Sequence, residues 1–423
     1  MLSRARGILQ EELGRTRVRD LVELGFQAVE KLPPQVASEL LRSLLKSRSW
    51  LARIRALAQL VRRGHAEYLD LLCDVLDDTG DPWERIEAAR ALVAEGDQRG
   101  FEALRQIVQR AAEGRDPDRL RGLWESWLDC LYPAWRRKAA ERRFFEWGIK
   151  RAAGDALMSL GDPQGPRFFR AELQDPGSSY HEGAALSLAK AAYEEGTQKL
   201  EELLAHGNRH ERPRAARFLG EVGARQSVPA LVTALDDPEW VVRRAAARAL
   251  GALQEESAAR LLESLLSDPC EEVRIAAAGA LAALGRQVGV EYLQAVASTS
   301  DNMLLRIRAV EALGEAATPS ALARLRSMVD AMPPDVAQRA LKALLDADDR
   351  GSLRIAIEVL TGRHPRVQMT QALRAEHILE AIGRIGDASV LDDVARFLED
   401  PRPPVRCLAA CAVVSLASDE AKG

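Results

Sequence analysis

The chain has 423 residues, 47% of them hydrophobic, 29% charged and only 5% aromatic, with a formal charge of −4. Ala, Leu, Arg and Glu favour helix nearly everywhere and no alternating strand-forming run occurs, which leaves an all-α chain with ample core. With 27 Lys+Arg to 24 Asp+Glu in residues 1–150 and 32 to 39 in the remainder, neither part supplies the cation excess by which proteins neutralise duplex phosphates.

Residues 1–47 predict helices with apolar faces at Leu21, Leu24 and Val29, then at Val36, Leu40, Leu41 and Leu44, broken at Pro33-Pro34. They are expected to cap one end of a helical stack. The N-terminus lacks an apolar run of signal-peptide length, and no stretch of about 18 apolar residues follows. A cytoplasmic protein without a membrane partner is expected.

From residue 48 the chain repeats itself. DDPEWVVRRAAARALGAL at 236–253 returns as SDPCEEVRIAAAGALAAL at 267–284, with Asp237 to Asp268, Arg243 to Arg274 and Leu250 to Leu281 all in one register. Taking Leu250 as marker, the ladder runs through Leu60, Leu92, Leu157, Leu188, Leu219, Leu250, Leu281, Leu313, Leu344, Ile382 and Val413. A period near 31 holds two helices and two short turns, at 3.6 residues per helical turn. Val242, Ala246, Ala249, Leu250 and Leu253 form an apolar stripe that one helix pair cannot bury alone, so neighbouring pairs must stack. The Asp of each Asp-Pro is expected to N-cap the second helix, with Pro at the first helical position.

The ladder divides the chain into repeats at 48–95, an irregular enlarged repeat at 96–153, repeats at 154–417 and a tail at 418–423. Within 96–153 the aromatic and basic residues crowd together: Trp124, Trp127, Tyr132, Trp135, Phe144, Phe145 and Trp147 are interleaved with Arg136, Arg137, Lys138, Arg142, Arg143, Lys150 and Arg151. Trp and Arg are the residue types most enriched at interface hot spots. Trp124, Trp127, Trp135, Arg136, Arg137, Arg142, Arg143 and Trp147 are therefore the candidate docking residues, for a protein partner of acidic character. The competing reading has the tryptophans filling a wider gap between helices. A second insertion, around Gly362-Arg363-His364-Pro365, lengthens one later step.

The pattern D-P-x-x-x-V-R followed by an alanine-rich helix ending in Leu-Gly resembles HEAT repeats, and the short period is similar to the HEAT-like type of phycobilin lyase subunits. It stands at Asp237/Arg243, Asp268/Arg274 and Asp400/Arg406, and one residue shorter at Asp301/Arg306. The resemblance implies a right-handed superhelix of paired helices. It also implies a structural ladder of Asp237, Arg243, Asp268, Arg274, Arg306, Asp400 and Arg406, each arginine meeting the aspartate of its own or the next inter-helix turn. The same position holds Arg53, Arg85, Lys150, His181 and Arg212, and fails at Ala337 and Ala375.

His181-Glu182 and His210-Glu211 invite comparison with the paired His-Glu motifs of deoxyhypusine hydroxylases, which place four such motifs at equivalent positions. Here there are two, 29 apart in a 31-residue repeat, and metal ligands must converge on one point. The five cysteines, Cys73, Cys130, Cys270, Cys407 and Cys411, lack a CxxC pair, and Cys407 and Cys411 read as one buried helical face. Phosphate-cradling glycine motifs and nucleophile elbows do not occur. No catalytic residue, cofactor or metal is expected. The sequence reads as a protein-binding scaffold, with an enzyme subunit of the lyase-like type as alternative and nucleic-acid binding third.

Overall fold

The structure is a computed structural model that describes residues 2–13, 15, 19–79, 81–112, 139–175, 178, 180–370 and 373–420. It forms two compact units, one of residues 10–196 and one of residues 1–9 with 197–423.

In the first unit α2 (Arg19–Glu30) leads into four helix pairs: α3 (Pro34–Leu44) with α4 (Trp50–Arg62), α5 (Leu69–Asp78) with α6 (Pro82–Ala94), α7 (Gln98–Ala112) with α8 (Ala139–Ser159), and α9 (Gln164–Gln174) with α10 (His181–Lys190). Helix α3, the first of a pair, lies inside the segment read as a cap. The division into units falls within α1 (Leu2–Leu13) and α11 (Glu194–His206). The second unit continues with α12 (Glu211–Glu221), α13 (Val228–Thr233) with α14 (Trp240–Ala252), α15 (Ala259–Ser264) with α16 (Glu271–Ala283), and α17 (Gln287–Thr299) with α18 (Met303–Ala316). It ends with α19 (Pro319–Ala331) and α20 (Pro334–Asp346), α21 (Leu353–Leu360) and α22 (Ala375–Ile385), and α23 (Leu391–Ala395) and α24 (Pro403–Glu420). The N-terminal Arg4 pairs with Glu399 of the same unit at 2.5 Å. All regular structure among the described residues is helical.

The leucine ladder is the spine. Every rung from Leu60 to Val413 is 0% exposed and sits on a second helix, the first ten of them near its end. Four residues beyond each of the first ten rungs the backbone turns left-handed, at Gly64, Gly96, Gly161, Ala192, Gly223, Gln254, Gly285, Ala317, Asp348 and Gly386. At most of these turns the rung's own carbonyl then accepts the amide five residues on, as in Asp162 to Leu157 at 2.9 Å and Arg286 to Leu281 at 2.8 Å, whereas Leu313 and Ile382 accept the amide four residues on, from Ala317 at 3.4 Å and Gly386 at 3.1 Å. This six-to-one closure satisfies a helix-end carbonyl and turns the chain sharply into the next pair.

The Leu-Gly dipeptide has a packing reason. In the second unit successive second helices lie against each other, and a Cβ on Gly251 would stand 2.7 Å from Cα of Ala280 one repeat later. Gly220 repeats the contact against Cα of Ala249 at 2.9 Å, and Gly314 faces the Ala343 methyl at 2.7 Å and its Cα at 3.3 Å. Glycine after one rung and alanine before the next let the helix axes approach until backbones touch.

Both insertions fall between the first and second helix of a pair. The later one joins α21 to α22. The earlier one, residues 113–138, joins α7 to α8, and α7 packs directly on α8, which also touches α6 and α9. Among the described residues one helix pair, α7 and α8, stands between the rungs Leu92 and Leu157.

Candidate functional site

The arginine ladder is a structural device of two parts. Arg243 Nη1 donates to the Asp237 carbonyl, six residues back, at 2.8 Å, and its Nε and Nη2 grip the Asp268 carboxylate of the next repeat at 2.8 and 3.0 Å. The first contact recurs in Arg53 to Ser47 at 2.9 Å, Arg274 to Asp268 at 2.7 Å and Arg406 to Asp400 at 2.9 Å. The second recurs in Arg212 with Asp237 at 3.0 Å and, more loosely, Arg306 with Asp335 at 3.8 Å. Each such cation closes the orphan carbonyls at the end of the preceding helix, where the helix dipole is negative. His181 keeps the position, its Nε2 lying 2.7 Å from the Asp175 carbonyl. That use, and the separate packing of His210 against Arg209, leave the two His-Glu pairs in unrelated surroundings.

The aspartates need a correction. Asp237, Asp268 and Asp400 do not cap the second helices. Each accepts the amide two residues on, from Glu239 at 2.8 Å, Cys270 at 2.8 Å and Arg402 at 2.9 Å, and α14 and α16 begin only after Glu239 and Cys270. The side chain shapes a turn ahead of the helix, because the chain needs two further residues to swing into its axis. Only Asp81, before Pro82, caps α6 as expected among these Asp-Pro pairs, accepting from Trp83 and Glu84. Burial raises the Asp268 carboxyl, but the hydrogen bonds from Arg243 and the Cys270 amide outweigh it and hold the group below its usual range.

Of the candidate docking residues, Trp124, Trp127, Trp135, Arg136 and Arg137 lie outside the described residues, and Arg142 and Arg143 lie on α8 where side chains are not described. Trp147 is buried. Its ring stacks on Tyr180 with centroids 4.9 Å apart, Arg151 lies 5.5 Å above it, and its tip occupies the space that a Cβ on Gly183 would need. This tryptophan is committed to the contact between α8 and α10.

An exposed counterpart stands in the second unit. Trp240 opens α14 at the same distance before its rung as Trp147, and Arg244 lies 5.0 Å over its ring, as Arg151 does over Trp147. Trp240 is 38% exposed, and Met303 and Leu304, which open α18, are 41% and 51% exposed. Between them α16 contributes Glu272, which receives Arg244 and Arg308 at 2.5 Å each. Beyond it α16 shows only small side chains, Ala276, Gly279 and Ala283, so that Arg248 of α14 reaches over α16 to Glu315 of α18 at 2.7 and 2.8 Å. The face has apolar side chains at its margin and arginines across it.

A second feature of chemical interest is a cleft of about 210 Å³ in the first unit, lined by Cys73, Leu76, Asp77, Arg85, Arg99, Glu102, Ala103 and Gln106. Burial raises the Cys73 thiol, and Arg99 is engaged by Asp97 at 2.7 Å. A protonated thiol is a poor nucleophile. Among the described residues no group of three or more His, Cys, Asp or Glu is placed to hold a metal ion, and no helix is long and apolar enough to cross a membrane.

Sequence reasoning missed the Trp240 face and a second set of ion pairs, Arg105 with Asp162 at 2.6 Å and Arg326 with Asp349 at 2.5 Å, which tie a first helix to the residue after the left-handed turn. The recurring acidic residue just after that turn, at Asp97, Asp162, Asp349 and Asp387, was the available signal.

A family model described as HEAT repeats matches residues 38–122, 197–270 and 259–345. No curated protein sequence matches the chain. Among solved structures, the chain is similar to the complex of CpcE and CpcF of phycocyanin lyase from Nostoc sp. PCC7120, with 21% identity over 59% of this chain and 94% of that one and a TM-score of 0.32. It is also similar to human deoxyhypusine hydroxylase in complex with glycerol, with 20% identity over 62% and 99% and a TM-score of 0.30. A third is the karyopherin Kap121p bound to the SUMO protease Ulp1p, with 14% identity over 96% of this chain and 52% of that one and a TM-score of 0.37.

Proposed function

Because the chain belongs to the HEAT-repeat family, we propose that it is a non-catalytic scaffold that holds a protein partner on the second helices of its C-terminal unit. The observation that carries this reading is the face around Trp240. The repeat cores are closed by leucine rungs and glycine-alanine contacts, yet Trp240, Met303 and Leu304 remain exposed beside Arg244, Arg248 and Arg308. Tryptophan and arginine around an apolar anchor are the composition of interface hot spots. Trp124, Trp127, Trp135, Arg136, Arg137, Arg142 and Arg143 are the second set of docking candidates, whereas Trp147 serves the stack.

Affinity capture from the native lysate tests the proposal. Wild type is compared with Trp240→Ala/Leu304→Ala and with Trp135→Ala/Arg136→Ala/Arg142→Ala, once circular dichroism shows equal helicity. One protein retained by wild type and lost from the first variant supports the reading; loss from the second variant alone moves the docking surface to the insertion. Equal capture by all three, or none by any, overturns it.

A further inference from the structure

We propose that the partner segment held on this face is an extended, acidic stretch of polypeptide that lies across the second helices from α12 to α20. The inference rests on the scaffold reading and adds the chemistry of the ligand.

The argument comes from how charge is sorted by row. Two and five residues before each rung these helices carry Arg214, Arg217, Arg248, Arg308, Arg339 and Lys342, exposed or half-buried, with Glu311 as the acidic exception, Ala245 on α14, and Gly279 and the buried Ala276 on α16. Two residues after the rung the row turns acidic, with Glu221, Glu315 and Asp346. A cationic lane thus crosses the helices with acidic residues along its edge. Lane cations are engaged by the chain's own carboxylates, Arg217 by Glu221 at 3.6 Å, Arg248 by Glu315 at 2.7 Å, Arg308 by Glu272 at 2.5 Å and Arg339 by Glu311 at 3.7 Å. The Arg217 and Arg248 pairs are largely open to water, where an ion pair contributes little. Incoming carboxylates exchange for them at small cost, with the bidentate geometry that guanidinium prefers.

The spacing selects the ligand. Packed helices stand roughly 8–10 Å apart, and a polyproline-II chain advances about 3.1 Å per residue with three residues per turn, so carboxylates at every third residue share one face and meet successive helices. The small side chains of α16 leave room for the backbone between Arg248 and Arg308, and Trp240 and Leu304 offer apolar contact at the margin. A polyphosphate backbone fits less well, because the edge carboxylates repel it along its length.

The test uses the full chain and a fluorescein-labelled peptide of Glu-Ser-Val repeats, with the matching Gln-Ser-Val peptide as control, read by anisotropy. Expected are binding of the Glu peptide alone, a weakening of about tenfold in Arg248→Glu/Arg308→Glu, a similar loss on raising salt, and no change in Arg286→Glu, whose side chain pairs with Glu256 away from the lane. Should the charge-reversed variant misfold, Arg248→Gln/Arg308→Gln carries the same expectation. Equal binding of both peptides, an unaffected lane variant, or tighter binding of a single-stranded oligonucleotide at the lane overturns the inference. Capture of a partner through Trp240 and Leu304 alongside failure of the Glu peptide would leave the scaffold reading standing and remove only the acidic ligand.

Discussion

Replacing Gly251 by alanine tests whether backbone contact sets the spacing of the stack. The new Cβ would stand 2.7 Å from both Cα and Cβ of Ala280, against an ordinary carbon-carbon contact of about 3.5–4.0 Å. Its neighbour is backbone, so no rotamer change relieves the clash, and α14 and α16 must part by about 1 Å. Overpacking of this kind costs about 1–3 kcal/mol, while alanine in place of a helical glycine returns up to about 1 kcal/mol. Gly251→Ala is therefore expected to lose about 1–2 kcal/mol at that interface. Gly279→Ala is the contrast, since its Cβ would meet the Ala312 methyl at 3.2 Å, a smaller conflict that the propensity gain offsets to within about 0.5 kcal/mol. In a repeat array such a loss stays local to neighbouring units. Hydrogen exchange in α14 and α16 should accelerate about 5- to 30-fold for Gly251→Ala and barely change for Gly279→Ala. Unchanged protection in Gly251→Ala, or equal loss in both, would refute the reasoning.

Gln254→Gly is expected to stabilise by about 0.5–1 kcal/mol in denaturant titration, because Gln254 holds a left-handed turn at φ 52° that costs an L-residue about 1–2 kcal/mol, less the greater chain entropy of glycine. Gly285→Ala, at φ 72°, should shift the midpoint the other way. Asp268→Asn should cost about 3 kcal/mol by leaving the half-buried Arg243 without its carboxylate. The Asp268 carboxyl is depressed in the fold, so its contribution is complete above the unfolded carboxylate value of about 3.9 and fades as pH falls through the lower folded value. Between pH 5 and 3 wild type should thus lose more stability than Asp268→Asn, and parallel pH curves would contradict the pairing. Trp147→Ala should lower stability by about 3–5 kcal/mol, measured by chemical denaturation, since its ring is packed between Tyr180 and Gly183.

Much of this architecture was legible because its signals are local or periodic. All eleven rungs read from spacing are buried to the last, since a residue fixed near the end of each second helix faces the stack wherever the repeat recurs. What the single strand of sequence hides are relations between repeats. Gly251 reads as a helix breaker until Ala280 is placed against it, and Arg248 with Glu315, 67 residues apart, meet only because the helix between them is lined with alanine and glycine. The second helices begin two residues later than a cap at the Asp of Asp-Pro implies, because the cap and the preceding turn use the same carboxylate chemistry. Trp147 and Trp240 occupy one register and share a neighbouring arginine, yet one is core and the other surface. Tyr180 of the next repeat covers the first, while the position in the same register beside Trp240 is the smaller, fully buried Val273.

The scaffold account is tested most directly by placing a photo-crosslinking amino acid at Leu304, on the proposed docking face, and at Leu261, also exposed but on a first helix, then irradiating each in native lysate. The account predicts one dominant protein adduct from position 304 that disappears with Trp240→Ala and does not form from position 261. Equal adducts from both positions, or none from position 304, would contradict it.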